Sequence, residues 1–121
     1  RDVFLDDLKK GDLYVLKEDD VVLGMCVIKD FEETYEVIDG QWLNDESYYV
    51  IHRIAIKEDL KGKNCAKQLF DYAKSLGKDV RIDTHAMNES MKRCILKNDF
   101  IYCGIITLKD GTLRNAYQWR K

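Results

Sequence analysis

Apolar and polar positions along the chain follow two rhythms. Leu13–Leu16 and Val21–Ile28 are short β-rich runs separated by Lys17-Glu18-Asp19-Asp20, the pattern of a hairpin. Tyr48–Ile56 is the strongest strand signal, apolar at most positions rather than at every second one. Such a strand suits the middle of a sheet, covered on both faces. Over residues 62–76 the period changes. Cys65/Ala66, Leu69/Phe70, Ala73 and Leu76 fall on one helical face, and Gly77 closes the helix. Val80–Thr84 reads as a short strand. Asn88 reads as the N-cap of a helix over 89–97, with Met91 and Ile95 facing inward. Phe100–Leu108 and Leu113–Trp119, joined by Lys109-Asp110-Gly111, read as a closing hairpin.

Two stretches are less regular. Phe4, Leu5 and Leu8, followed by Lys9-Lys10-Gly11, read as the last turn of a helix. Residues 30–47 are polar and acidic with scattered aromatics, which predicts a weak strand near Tyr35–Ile38 and a turn at Asp39-Gly40. A strand–helix–strand unit from 48 to 84 requires parallel pairing and a right-handed crossover. The hairpins are antiparallel. The expected fold is therefore α/β in the α+β sense, with a mixed, mostly antiparallel central sheet and helices on both faces. Neither a repeat nor a linker interrupts the chain, so residues 1–121 are expected to form a single domain.

Composition narrows the function classes. Lys plus Arg number 20 and Asp plus Glu 22, for a net charge of −2, without the basic excess that nucleic-acid binding favours. Hydrophobic residues make up 45% of the chain, enough for a core and against disorder, yet no run approaches a membrane span of about 18–20 residues. Cys26, Cys65, Cys94 and Cys103 form no CxxC pair and have no histidine at ligand spacing, so reduced thiols, no metal and a cytoplasmic location are expected. Arg1 is not an initiator methionine, and residues 4–8 read as the stump of a longer element. The N-terminal part of the domain is therefore expected to be lacking.

The most informative stretch runs from Ile54-Ala55-Ile56 through Leu60-Lys61-Gly62-Lys63-Asn64-Cys65-Ala66-Lys67. A buried strand enters a basic, small-residue turn that opens a helix. Unpaired N–H groups at a helix N-terminus can hold a phosphate, and Gly62 lets a ligand approach the backbone. An ordinary strand–helix connection with solvated lysines is the other reading. The Walker and GxGxxG patterns are both absent.

This run resembles the acetyl-CoA motif of the GNAT superfamily of N-acetyltransferases, (Arg/Gln)-x-x-Gly-x-(Gly/Ala). Lys61 stands at the Arg/Gln position, Asn64 at the glycine and Ala66 at the small residue. Asn88-x-x-Met91 and Asn98-Asp99-Phe100 resemble the family's Asn-x-x-Ala and Gly-Phe segments, and the ordered likeness covers about residues 13–119.

The resemblance implies a GNAT-like acyl-CoA N-acyltransferase fold and acetyl-CoA as cosubstrate. It also implies transfer of an acetyl group, not an amino-acyl group, to a primary amine of a small molecule or protein, by direct attack in a ternary complex. Strands 48–56 and 80–84 would splay to admit the pantetheine arm. Ile54, Ala55 and Ile56 would pair with the arm, and residues 61–66 would hold the pyrophosphate. Lys67 and Asn88 complete the expected cofactor contacts. His85, at the end of the second splayed strand, is the preferred titrating group; His52, two residues before Ile54, is the other candidate base. The family's acid, a tyrosine seven residues after the asparagine, is replaced by Ile95, which leaves Tyr102 or water. Asp45 and Glu46 could act as a water-linked base or amine anchor, and the acidic 30–46 segment could attract a cation. The competing readings are a catalytically weak acyl-CoA-binding regulatory module and a fold fragment without ligand. No nucleic-acid or membrane partner is expected, and exposed sheet edges would favour a homodimer.

Overall fold

The computed structural model describes residues 3–9, 13–19, 21–57 and 65–121. The strands are β1 (Val3–Lys9), β2 (Leu13–Glu18), β3 (Val21–Lys29), β4 (Asp39–Gly40), β5 (Tyr48–Ile56), β6 (Asp79–His85), β7 (Ile101–Thr107) and β8 (Leu113–Trp119). They form one sheet in the order β1-β2-β3-β5-β6-β8-β7-β4. Among the described residues, only β5 and β6 pair in parallel, and helix α1 (Cys65–Lys74) lies between them in the chain, as the strand–helix–strand pattern requires. Helix α2 (Glu89–Lys97) leads from β6 to the closing hairpin. Among the described residues, no helix is long and apolar enough to cross a membrane.

Alternation along the strands builds two cores. Ile51, Val80, Ile82 and Tyr117 face Leu69, Phe70 and Ala73 of α1 and Ile95 of α2. On the opposite face Val50, Ile106 and Ala116 pack with Tyr35, which belongs to a 3-10 helix over Glu33–Glu36. Helical cover thus lies on both faces, with the α-helices on one and the 3-10 turn on the other. Burial pushes the Cys26 thiol up to about 12, and Cys26, Cys94 and Cys103 are free.

Three expectations are corrected. Residues 4–8 do not end a helix. They lie in β1, paired antiparallel with β2 from Val3↔Glu18 onward, so their backbone groups are satisfied by a neighbouring strand. A run this short pays the nucleation cost of a helix with little propagation to offset it. The strand expected near Tyr35–Ile38 is the 3-10 turn, because Glu32 caps it through Thr34 N and Tyr35 is drawn into the core. Only Asp39–Gly40 pair as a strand, against Gly104 and Ile105 of β7. The helix assigned to 62–76 ends at Lys74, with Gly77 at φ +102° beyond it; its first three positions lie outside the described residues.

Asn88 caps α2 as its sequence position predicts, its Oδ1 accepting from Met91 N at 3.1 Å. Asn88→Ala is expected to lower stability by about 1 kcal/mol. Equilibrium urea unfolding checks this as a lower midpoint with an unchanged slope.

Candidate active site

The parallel pairing of β5 and β6 is short, running from Tyr48↔Asp79 to Ile51↔Ile82. Beyond it β5 continues to Ile56 beside β3, and β6 continues to His85 beside β8. The sheet therefore opens between its two central strands. The cause is local. Between Met25↔Ala55 and Val27↔His52 the β5 side carries one extra residue, a bulge, and Arg53 sits there with φ +49°. A bulge bends its strand and increases the twist, so β5 leaves β6 while keeping β3.

The free edge has a definite register. Lys57 N donates to Leu23 O at 2.9 Å, so residue 57 points its backbone groups toward β3. Alternation then turns the N–H and C=O of Ile54 and Ile56 toward the opening. Ala55 directs its backbone groups toward β3. Gly24 allows the close approach of β3, since a Cβ there would meet Ile56 Cδ1 at 2.8 Å.

His52 and Asp83 are the first residues past the last parallel pair, on the face that carries the 3-10 turn. His52 Nε2 lies 2.9 Å from Glu32 Oε1, without an aligned hydrogen bond, and is otherwise buried and unpartnered. Burial lowers the His52 pKa, and Lys29 adds to this, outweighing the raising influence of Glu32 and Asp83. Burial would raise the Glu32 carboxyl, but hydrogen bonds from Thr34 N at 3.0 Å and Thr34 Oγ1 at 2.8 Å, with His52 and Lys29, hold it lower. Both oxygens of Asp83 are hydrogen-bonded: Tyr35 Oη donates to Oδ2 at 2.6 Å and Arg114 Nε to Oδ1 at 2.9 Å. Burial, then the Asp83 charge, raises the Tyr35 phenol well above its ordinary value.

The other candidates are placed differently. His85 is exposed, and its Nδ1 accepts from Met87 N at 3.0 Å, so the ring shapes the turn into α2. Tyr102 stands on β7, three strands from β5 and roughly 14 Å away at the usual strand spacing. Its ring meets Tyr117 edge-on at 5.6 Å. Ile95 is fully buried in the core. Lys61, Gly62, Lys63 and Asn64 lie outside the described residues; Cys65 and Ala66 begin α1, and Lys67 pairs with Asp71 one turn on. Asp45 and Glu46 lie ahead of β5, at the paired end rather than the open one. There Arg81 sits between the rings of Trp42 and Tyr48, at 4.1 and 4.0 Å, and donates to Gln118 and to Asn44 O. Those aromatics fasten the 41–47 segment instead of lining the opening.

Glu32, Tyr35 and Arg114 were not singled out from the sequence as partners of the site residues. Glu32 was legible only as one acid among several, because its partner His52 is 20 positions away.

The profile described as "Acetyltransferase (GNAT) family" matches residues 2–100. The chain belongs to the GNAT family. An acetyltransferase of this family from Streptococcus agalactiae is 34% identical, with a TM-score of 0.82 over 92% of this chain and 66% of its own. One from Bacillus cereus is 20% identical, with a TM-score of 0.69 over 94% of this chain and 73% of its own. Arabidopsis thaliana NAA60, in complex with acetyl-CoA, is 13% identical, with a TM-score of 0.66 over 90% and 76%. The last two similarities establish the fold alone. The GNAT chain spans 66% of the Streptococcus agalactiae relative and 64% of one from Listeria monocytogenes, just under two thirds in each case. No curated protein matches the sequence.

Proposed function

We propose that this GNAT domain is an N-acetyltransferase that moves an acetyl group from acetyl-CoA to a primary amine in a ternary complex. The observation that carries the reading is the opening between β5 and β6, with the backbone groups of Ile54 and Ile56 turned into it. An extended amide-bearing arm fits there as an added strand, and residues 61–66 would meet its pyrophosphate. Acetyl-CoA supplies the activated acetyl carbon; the chain supplies orientation and a base. His52, held toward its neutral form by burial, is that base. An alkylammonium, with a pKa of about 10.4, must give up a proton before its nitrogen can attack. The freed lone pair forms the C–N bond, the C–S bond breaks, and the thiolate leaves as the thiol after taking up a proton.

His85, bound into its turn, remains at the rim as a group for substrate contact, and Tyr102 lies outside this arrangement. With Ile95 in the core, water protonates the thiolate. The absence of a phenol at that position favours one second reading, a catalytically weak acyl-CoA-binding module. Turnover by the chain decides against it. Reduced thiols, as in the three described cysteines, fit a cytoplasmic location.

Calorimetric titration of acetyl-CoA tests the reading. Micromolar binding is expected, weakened at least tenfold by Lys61→Glu, because reversing a charge beside the pyrophosphate replaces attraction with repulsion. No heat, or heat indifferent to the variant, overturns the assignment.

A further inference from the structure

We infer that Glu32 is the positioning residue of a carboxylate–imidazole relay: it holds the Nε2 proton of His52, and so makes Nδ1 the nitrogen that receives the proton of the incoming ammonium group. The inference deepens the acetyltransferase reading and rests on His52 being its base.

Geometry supports the division of labour between the ring nitrogens. Nε2 is buried without an aligned hydrogen bond and lies 2.9 Å from Glu32 Oε1. The carboxylate cannot turn away freely, because Oε2 is held by both the amide and the hydroxyl of Thr34. Nδ1 has no hydrogen-bond partner among the described residues, and the His52 side chain keeps 23% of its surface exposed, so with Nε2 buried it is Nδ1 that is left for a substrate. Catalytic contacts are often misaligned before substrate binds, which accounts for the unaligned approach at Nε2. The other carboxylate at the opening, Asp83, accepts from Tyr35 through Oδ2 and from Arg114 through Oδ1, contacts that hold it toward the 3-10 turn and β8.

The charges facing His52 come from several elements. Glu32 precedes the 3-10 turn, Asp83 lies on β6 and Lys29 on β3, while Arg114 on β8 and Tyr35 reach it through Asp83. In the proton-transfer step one N–H bond of the ammonium breaks and Nδ1–H forms. The imidazolium then has its Nε2–H against the Glu32 carboxylate, which stabilises the positive charge. Without that carboxylate, the ring is free to carry its single proton on Nδ1, where it cannot act as base.

The test uses nitrogen NMR of His52 in the whole chain, together with initial rates at saturating acetyl-CoA and n-butylamine as the probe amine. The wild type is expected to show the Nε2–H tautomer. Glu32→Gln keeps an acceptor for Thr34 and the same side-chain shape, so it is expected to stay folded with only a small drop in melting temperature. It should nevertheless lose the tautomer preference and drop at least tenfold in rate, with the acid limb of the profile moved to lower pH. That shift follows from losing a negative charge that favours the protonated ring, and a merely structural role would not produce it. The Nδ1–H tautomer in the wild type overturns the relay. So does a Glu32→Gln profile that superimposes on wild type while His52→Gln is inactive; in that case the base assignment survives. If His52→Gln keeps full activity, the base assignment itself fails and the relay falls with it. The tautomer measurement holds whether or not butylamine is turned over.

Discussion

His52→Gln lowers kcat/KM for the probe amine by about 10²–10⁴-fold, the usual contribution of a positioned general base, and leaves acetyl-CoA affinity unchanged. Glutamine matches the imidazole in length and polarity but cannot accept a proton near neutral pH. The side chain projects from β5 just before the bulge, beside the opening, whereas the backbone of Ile54 and Ile56 forms the edge proposed to meet the cofactor. The two functions therefore separate by mutation. A variant with normal calorimetric affinity and normal turnover would remove His52 from the chemistry.

The pH dependence has a defined sign. A half-buried His52 ionises below about 6.5, the ordinary histidine value, so the acid limb of kcat lies below that pH and the rate is flat above it. A limb centred above 6.5 would mean that another group limits the reaction. The same shift links to stability. Because the folded state binds this proton less readily than the unfolded chain, the contribution is complete above about 6.5 and is lost as pH falls through the folded value. Glu32, also held low, adds a second loss in the carboxylate range below it.

Phe70→Ala destabilises the fold by about 3–5 kcal/mol, the range for truncating a buried aromatic ring. Phe70 is 0% exposed and its ring centroid is 5.4 Å from that of Phe100, where α1 and the start of the closing hairpin meet. A domain of this size holds roughly 5–15 kcal/mol in all, so the loss is a large share of its stability. The expected drop in melting temperature is roughly 10–20 °C. Acetyl-CoA affinity should fall as well, since α1 is held against β3 and β5 by this face, and residues 61–66, proposed to meet the pyrophosphate, include its first two residues. Phe70→Met, closer in volume, should lose less of both. Equal melting curves for Phe70→Ala and wild type would show that the helix is not held by this packing.

Local periodicity carried most of the element order. The apolar run Tyr48–Ile56, the helical spacing of Leu69, Phe70 and Ala73, and the cap Asn88 each signal their state within a few residues, and each appears as expected. The parallel pairing of β5 and β6 follows from the helix between them, which leaves no room for a hairpin. The run from Lys61 to Ala66, with Asn88-x-x-Met91 and Asn98-Asp99-Phe100 after it, carried the family by their order along the chain. All of these are legible from local spacing and from the order of segments along the chain.

Tertiary structure decided the rest, because it depends on partners distant in sequence. Residues 4–8 are a strand because β2 supplies their hydrogen bonds, and Tyr35 lies in a 3-10 turn because Asp83, 48 positions on, accepts from its hydroxyl. The bulge at Arg53 has no signature in an apolar run, yet it sets where the sheet opens. His85 and His52 look equivalent as lone histidines. Only the fold separates a ring spent on Met87 N from a half-buried ring beside Glu32, since burial and partner geometry, not residue type, determine what an imidazole can do.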